Sequence, residues 1–138
     1  MAAVLNIGAG FQAPSGVASG QIRAILRLEG AASFATSAAL YAHTGLSWPL
    51  FVVLFLAPDL AMLGYLMGPR IGAIAYNAAH THPLALPLAL TGFLLGWPAA
   101  LAVALIWIAH VGFDRALGFG LKYPAGFGET HLGRIGRR

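Results

Sequence analysis

The sequence predicts an all-α fold, a four-helix transmembrane bundle made of two hairpins, and three observations carry that expectation. The chain of 138 residues is 59% hydrophobic and 9% charged, whereas soluble domains carry roughly 25% charged residues. The charge is also unevenly placed. No Asp, Glu, Lys or Arg occurs from Ile71 to Phe113, and Asp59 is the only one between Glu29 and Arg70; charge-free runs longer than about 20 residues read as membrane spans. Finally, Trp48-Pro49 and Trp97-Pro98 look like two helix openings at a membrane interface. Trp favours that interface, and Pro suits a first helical position, where its missing N–H is not needed.

Residues 1–21 are dominated by Gly, Ala and Ser. They lack the basic start and long apolar core of a cleaved signal peptide, so a flexible arm is expected. The membrane domain spans residues 22–121. Helix 1 runs from Ile22 to Ala42, with Arg23, Arg27 and Glu29 near its start, and the turn His43 to Ser47 follows. Helix 2 runs from Trp48 to Met67, and Gly68 to Arg70 form the next turn. Helix 3 runs from Ile71 to Leu95 with Pro83 and Pro87 inside it; Gly96 breaks it, and helix 4 continues from Pro98 to about Gly120. Residues 122–138 remain as a tail. Four spans place both termini and the Gly68–Arg70 turn on one side, which then holds all 8 Lys and Arg residues. The positive-inside rule puts that side, with both termini, in the cytoplasm.

Composition excludes several classes. With no cysteine, disulfides and thiolate metal sites are out. The basic residues are too few on too apolar a chain for a nucleic-acid partner, and no phosphate-binding glycine loop or serine triad motif occurs. Gly64, Gly68 and Gly72 recur at four-residue spacing, which lets helix backbones approach closely. Packing within the chain is the favoured use, because Pro69 interrupts the stripe; a homodimer seam is the other.

The polar residues converge in depth. At 1.5 Å of rise per residue, His110 and Asp114 lie about 20 and 25 Å from the turn at Trp97, and His82 and His80 about 22 and 25 Å from it. From the turn at Pro69, Asp59 and His80 lie about 15 and 16 Å away. Glu29, Asp59, His80 and the His110/Asp114 pair are therefore expected in one layer, in the cytoplasmic half. His110 with Asp114, and Tyr76 with His80, are i,i+4 pairs. His80 and His82 are about 200° apart on an ideal helix, so only one faces inward unless the chain breaks before Pro83. His80, beside Tyr76 and Asn77, is the better candidate.

Intramembrane ionisable residues usually mark function. The alternative is a structural network in which Arg23, Arg27 and Arg115 neutralise Glu29, Asp59 and Asp114, but charge balance has no need of His and Asn. Imidazole with carboxylate favours Zn, Fe or Mn over Ca. Asp59, His80, His110 and Asp114 are accordingly the expected metal ligands and catalytic set, with Arg27, Glu29, Tyr76, Asn77 and Arg115 as substrate-binding candidates. Haem, with His80 or His82 facing His110, ranks lower because it leaves the carboxylates unexplained. Tyr65, Trp107, Phe113, Met62 and Met67 read as packing.

The stretches Leu26 to Gly30 (LRLEG), Leu56 to Tyr65 (LAPDLAMLGY), Gly68 to His82 (GPRIGAIAYNAAHTH) and Ile106 to Ile135 closely resemble a bacterial family of integral membrane proteins, catalogued as domain of unknown function forty-two sixty. The resemblance covers about residues 24–135 and implies a small integral membrane protein; with the four spans and their topology, the expected location is the bacterial inner membrane, multi-pass. It brings no established activity. It adds the tail to the signature, so Lys122, Tyr123, Glu129 and His131 are expected to fold back over the site as a lid, and Lys122 and His131 join the substrate-binding candidates. A looser likeness, in the order Pro58-Asp59, Thr81-His82-Pro83 and His110 to Asp114, is to inner-membrane metal-dependent hydrolases. Those usually carry a further His-Arg pair where Asn77 or Ala78 stands here. Two functions follow as expectations. One is a metal-dependent hydrolase acting on a lipophilic or membrane-adjacent molecule; the other is a non-enzymatic membrane binder or carrier of an ion, proton or haem.

Overall fold

The computed structural model describes residues 16–136. Residues 1–15 of the expected arm, and Arg137 and Arg138, lie outside that range. The protein is mostly helical: α1 is Gly20–Ala42, α2 Trp48–Phe55, α3 Pro69–Ala79, α4 Ala85–Leu94 and α5 Pro98–Leu117. A 3-10 helix, Ala57–Met67, continues α2, and a two-stranded antiparallel hairpin, β1 Glu129–Thr130 and β2 Gly133–Arg134, closes the chain.

The expected helices 1 and 4 form nearly as drawn, and helix 2 keeps its length but changes its winding. Pro58 has no N–H to donate back to Leu54, so the α-helical ladder cannot continue through it. Beyond that point the pitch tightens, and the Asp59 N–H reaches the Leu56 carbonyl at 3.2 Å.

Helix 3 differs more. Where one span was expected from Ile71 to Leu95, the chain breaks over residues 80–84 into two helices of 11 and 10 residues. Pro83 again accounts for the break, since its ring and missing N–H disfavour helix at and before it. Pro87 is tolerated because it falls in the first turn of α4. A broken helix leaves carbonyls without partners, and α5 supplies them. Trp107 Nε1 donates to the Ala79 carbonyl at 2.5 Å and an Arg115 Nη donates to the His80 carbonyl at 3.1 Å.

α5 is the central element, packed against α1, α4 and α2, whereas α3 packs mainly on the 3-10 helix. The core is built from Tyr41, Phe51, Ala102, Leu105, Ile106 and Ala109. α1 and α5 touch at two glycines: a Cβ on Gly112 would stand 2.7 Å from the Gly30 carbonyl oxygen and from the Phe34 nitrogen. Gly64 and Gly72 serve the same end between the 3-10 helix and α3, where a Cβ on Gly72 would strike the Tyr65 ring. Gly64 and Gly72 of the stripe are thus used inside the chain, whereas a Cβ on Gly68 would meet nothing within 4 Å.

Two helical stretches, Trp48–Met67 and Pro98–Leu117, are long and apolar enough to cross a membrane. Many large apolar side chains face outward, among them Leu60, Leu63, Leu66, Met67, Ile74, Phe93, Leu94 and Leu95. A surface so rich in exposed apolar groups is unusual for a soluble monomer.

Gly118, in the left-handed conformation (φ 95°), ends α5, and the Phe119 N–H returns to the Asp114 carbonyl at 2.8 Å. The chain then turns back. Asn77 clamps it from α3, its amide donating to the Lys122 carbonyl (2.9 Å) and its oxygen accepting from the Lys122 N–H (2.7 Å). Leu132 and Thr130 are fully buried in the tail. Residues preceding α1 meet it too: Ala18 N–H donates to the His131 carbonyl, and the Tyr123 hydroxyl donates to the Gly16 carbonyl.

Candidate metal centre

Three separate parts of the chain bring four side chains to one point. Asp59 stands in the first turn of the 3-10 helix, His80 caps the C-terminus of α3, and His110 and Asp114 lie one turn apart on α5. The break after Ala79 sets the position of His80. Its ring stacks on Tyr76, with centroids 3.7 Å apart and planes 10° from parallel. Its Nδ1 lies 2.9 Å from the Tyr76 carbonyl, and a carbonyl only accepts. Nδ1 therefore carries the proton, and Nε2 presents a lone pair.

That Nε2 lies 3.0 Å from His110 Nε2, 3.3 Å from Asp59 Oδ1 and 3.5 Å from Asp114 Oδ2. His110 Nε2 is 3.6 and 3.9 Å from the same two oxygens. All four candidate donor atoms lie within 4.8 Å of one another. Four ligands at 2.0–2.1 Å around a tetrahedral ion would stand roughly 3.3 Å apart, so the spacing suits one small cation at the centre.

Both imidazoles are buried, while the Asp59 and Asp114 side chains keep 34% and 16% of their exposure. Among the described residues neither aspartate lies within ion-pair distance of a lysine or arginine; their close neighbours are the two imidazoles. The arginine-neutralised network considered from sequence is therefore not what surrounds Asp59 and Asp114. Outer hydrogen bonds orient two of the four groups. The Tyr76 hydroxyl donates to Asp114 Oδ2 at 3.1 Å, and the Tyr76 carbonyl fixes His80. His110 Nδ1 is buried without a hydrogen-bond partner, with the Phe55 ring edge-on at 5.2 Å.

A cavity of about 380 Å³ opens on the cluster, lined by Asp59, Met62, Tyr76, Asp114, Lys122 and Phe127 among others. Lys122 is the tail's contribution. It is 4% exposed, donates from Nζ to the Phe127 carbonyl at 2.9 Å, and lies over the Phe127 and Tyr76 rings at 3.7 and 4.8 Å. Burial pushes its ammonium below the usual lysine range, and the Asp114 charge partly restores it.

The remaining sequence candidates are placed elsewhere. Glu29, expected in the same layer, lines a different and smaller cavity with His82, Arg115 and His131. His131, expected near His110 and Asp114, instead accepts from the Leu121 N–H through Nδ1 at 2.8 Å. Burial and then the Arg115 charge lower its pKa. Arg27 donates from Nε to the Ala116 carbonyl at the end of α5. Asn77 is engaged by the Lys122 backbone. His82 and Trp107 were undervalued from sequence. The signal for both was Pro83, which frees carbonyls and redirects the residues before it.

The family model for Domain of unknown function (DUF4260) matches residues 23–135. The chain belongs to that family. The DUF4260 match covers all four donors, the cavity residues and the docked tail through Ile135. No curated protein and no solved structure matches the chain.

Proposed function

We propose that this DUF4260 protein is a metal-dependent enzyme, hydrolytic in type, of the bacterial inner membrane. In this reading the helices form a four-span bundle, with α3 and α4 together making the third span, both termini are cytoplasmic, and the polar cavity opens to the cytoplasm. One observation carries the site. Two imidazole nitrogens, one of them the His80 lone pair, and two carboxylate oxygens converge with no lysine or arginine among them. Two carboxylates beside two buried imidazoles suit a shared cation, and a divalent ion balances both carboxylates.

Asp59, His80, His110 and Asp114 would hold the metal, with Zn, Fe or Mn the best matches to a mixed nitrogen and oxygen set. A metal so held lowers the pKa of water and makes it a nucleophile at neutral pH. The chain's own residues do the rest. Tyr76 holds Asp114 in place, and Lys122 stands at the cavity wall as a donor for an anionic or carbonyl oxygen. Met62, Phe119, Phe127 and Ile135 offer apolar surface to a lipophilic substrate, and the tail acts as a lid over them. The hydrolytic direction rests on the order Asp, Thr-His, His-x-x-x-Asp along the chain, by analogy.

Haem is less well supported. Axial ligands on opposite faces of one iron stand roughly 4 Å apart at bond lengths near 2 Å, whereas 3.0 Å separates the two Nε2 atoms. That spacing suits adjacent ligands of one ion.

The test is turnover of a panel of lipophilic esters, amides and phosphoesters by the full chain in nanodiscs, with His110→Ala as the comparison. Product that forms with the wild type, stops on chelation and is absent with His110→Ala supports the reading. Product that survives His110→Ala removes the site from the chemistry. Topology is tested separately by reporter fusions at Gly45 and after residue 138. The expected outcome is a periplasmic signal from the first and a cytoplasmic one from the second; a cytoplasmic signal at Gly45 contradicts the four-span arrangement.

A further inference from the structure

Next to the metal ligands the chain builds a second polar cavity. His80 and Asp114 serve the four-donor cluster, while their near neighbours His82 and Arg115 line a separate space of about 190 Å³ with Glu29, Ser33 and His131. At about 30 Å³ per water in the liquid, that is room for a small oxyanion and some solvent. The lining is specific in kind. Arg115 spends one Nη on the His80 carbonyl and has no carboxylate within ion-pair distance among the described residues. A guanidinium has five donors, so most of its fork is uncommitted. His131 accepts from the Leu121 N–H through Nδ1, which leaves its proton on Nε2 as a further donor. His82 Nε2 is buried with no partner in the protein. Ser33 adds a hydroxyl. Against these stands one group that only accepts when ionised, the Glu29 carboxylate.

A permanent cation and two imidazoles disfavour a metal ion here. A fully deprotonated oxyanion would meet Glu29 oxygen to oxygen. The complementary ligand is an oxyanion that still carries a proton, its charged oxygens toward Arg115 and the imidazoles and its O–H toward Glu29. Phosphate and its monoesters qualify, since the second pKa is near 6 in a monoester, higher in inorganic phosphate, and a protonated fraction persists at neutral pH. Sulfate and phosphodiesters carry no such proton.

We propose that this cavity is a binding site for a protonated phosphate group, either inorganic phosphate or the monoester headgroup of a lipid, with Arg115, His82 and His131 holding the anion and Glu29 selecting for its proton. The proposal needs neither a bound metal nor the hydrolytic reading, although Arg115 also holds the His80 carbonyl.

The experiment is equilibrium binding of radiolabelled inorganic phosphate to the purified full chain in detergent, with a chelator present throughout. The wild type should bind saturably and be competed by sulfate at least ten-fold less well than by phosphate. Glu29→Gln lies on the exposed face of α1 and leaves the bundle folded; its amide offers sulfate a donor, so discrimination should fall to within about three-fold. His82→Gln and Arg115→Lys should each weaken phosphate by about ten-fold or more, as for lost hydrogen bonds to a charged group. Vesicles of phosphatidic acid and of phosphatidylglycerol separate the two sources. Displacement of phosphate by the first and not the second identifies a lipid monoester, and displacement by neither identifies free phosphate; both support the site. Absence of saturable binding with the chelator present, equal competition by sulfate in the wild type, or displacement by phosphatidylglycerol as strong as by phosphatidic acid would overturn it.

Discussion

α5 and the Trp48–Met67 stretch are both long and apolar enough to cross a membrane, yet they stand in opposite surroundings. Of the most apolar window in each, 56% is buried inside the protein in α5 and 6% in Trp48–Met67. Both supply side chains to the same four-residue cluster. α5 gives His110 and Asp114, from a helix fixed by glycine contact with α1, by the Gly118 cap and by the side chains that catch the broken segment. The outer stretch gives Asp59, which is held among the described residues only by the two imidazoles. The difference teaches where each property resides: stability in the α5 wall, adaptability in the Asp59 wall, beside which the larger cavity opens.

Equivalent substitutions in the two walls would sharpen or break that comparison. The largest expected effect is on metal affinity. His110→Ala and Asp59→Asn should both weaken metal binding by more than the roughly 10–100-fold typical of outer contacts, but only His110→Ala should also lower the melting temperature in detergent, because it empties a buried position. A matching fall in Asp59→Asn would make the outer wall as structural as the inner one.

Next comes the glycine pair. Gly112→Ala sets a methyl 2.7 Å from backbone atoms of α1 and should cost about 1–3 kcal/mol in thermal unfolding, the usual range for overpacking. Gly64→Ala meets a side-chain methyl, Ala75 Cβ, at 2.9 Å, in the less buried wall, and should cost less. Equal losses would contradict the assignment of stability to α5.

Tyr76→Phe removes the hydroxyl that holds Asp114. It should weaken metal binding by roughly 10–100-fold, with little change in melting, since the ring that stacks on His80 remains.

The smallest effect concerns the tail. The folded-state pKa of His131 is lowered, so its neutral form is favoured in the docked tail. Its contribution is complete above the unfolded value of about 6.5 and is lost as pH falls through the folded value. Protonation also removes the acceptor used by the Leu121 N–H. Hydrogen exchange over residues 119–136 should therefore quicken as pH drops from neutral toward 5, after correction for the intrinsic pH dependence. In His131→Asn, whose amide oxygen keeps an acceptor without a titrating group, that change should disappear.

Much of the site was legible because depth along a helix follows from residue count and rise. Asp59, His80, His110 and Asp114 could be placed at one level from their distances to the turns, and they do meet. Depth says nothing of azimuth, which is why Glu29 was put in the same layer although it lines another cavity. The Pro83 break was foreseen only as one option, because proline inside a membrane helix can kink it or divide it. What decides is the supply of partners for the freed carbonyls, here Trp107 and Arg115 from a distant element. The 3-10 winding after Pro58 and the Gly30–Gly112 contact were missed for a related reason: single Pro and Gly residues in apolar runs do not declare which neighbour they serve. The tail's association was suggested by its place in the family signature, but its clamp, Asn77 against the Lys122 backbone, is a contact between residues 45 apart in sequence.

The central claim is that Asp59, His80, His110 and Asp114 hold one metal ion, and metal content tests it most directly. Full-length protein, purified without chelator and reconstituted separately with zinc, iron and manganese, is measured by elemental analysis and X-ray absorption. The account predicts about one equivalent of one of these metals per chain, in a shell of nitrogen and oxygen with two imidazoles, as a tightly held site of this donor set would give, and its loss in a His80→Ala/His110→Ala double variant that remains helical. Bound metal that persists undiminished in the double variant, or a wild type that retains none of the three metals after reconstitution, would contradict it.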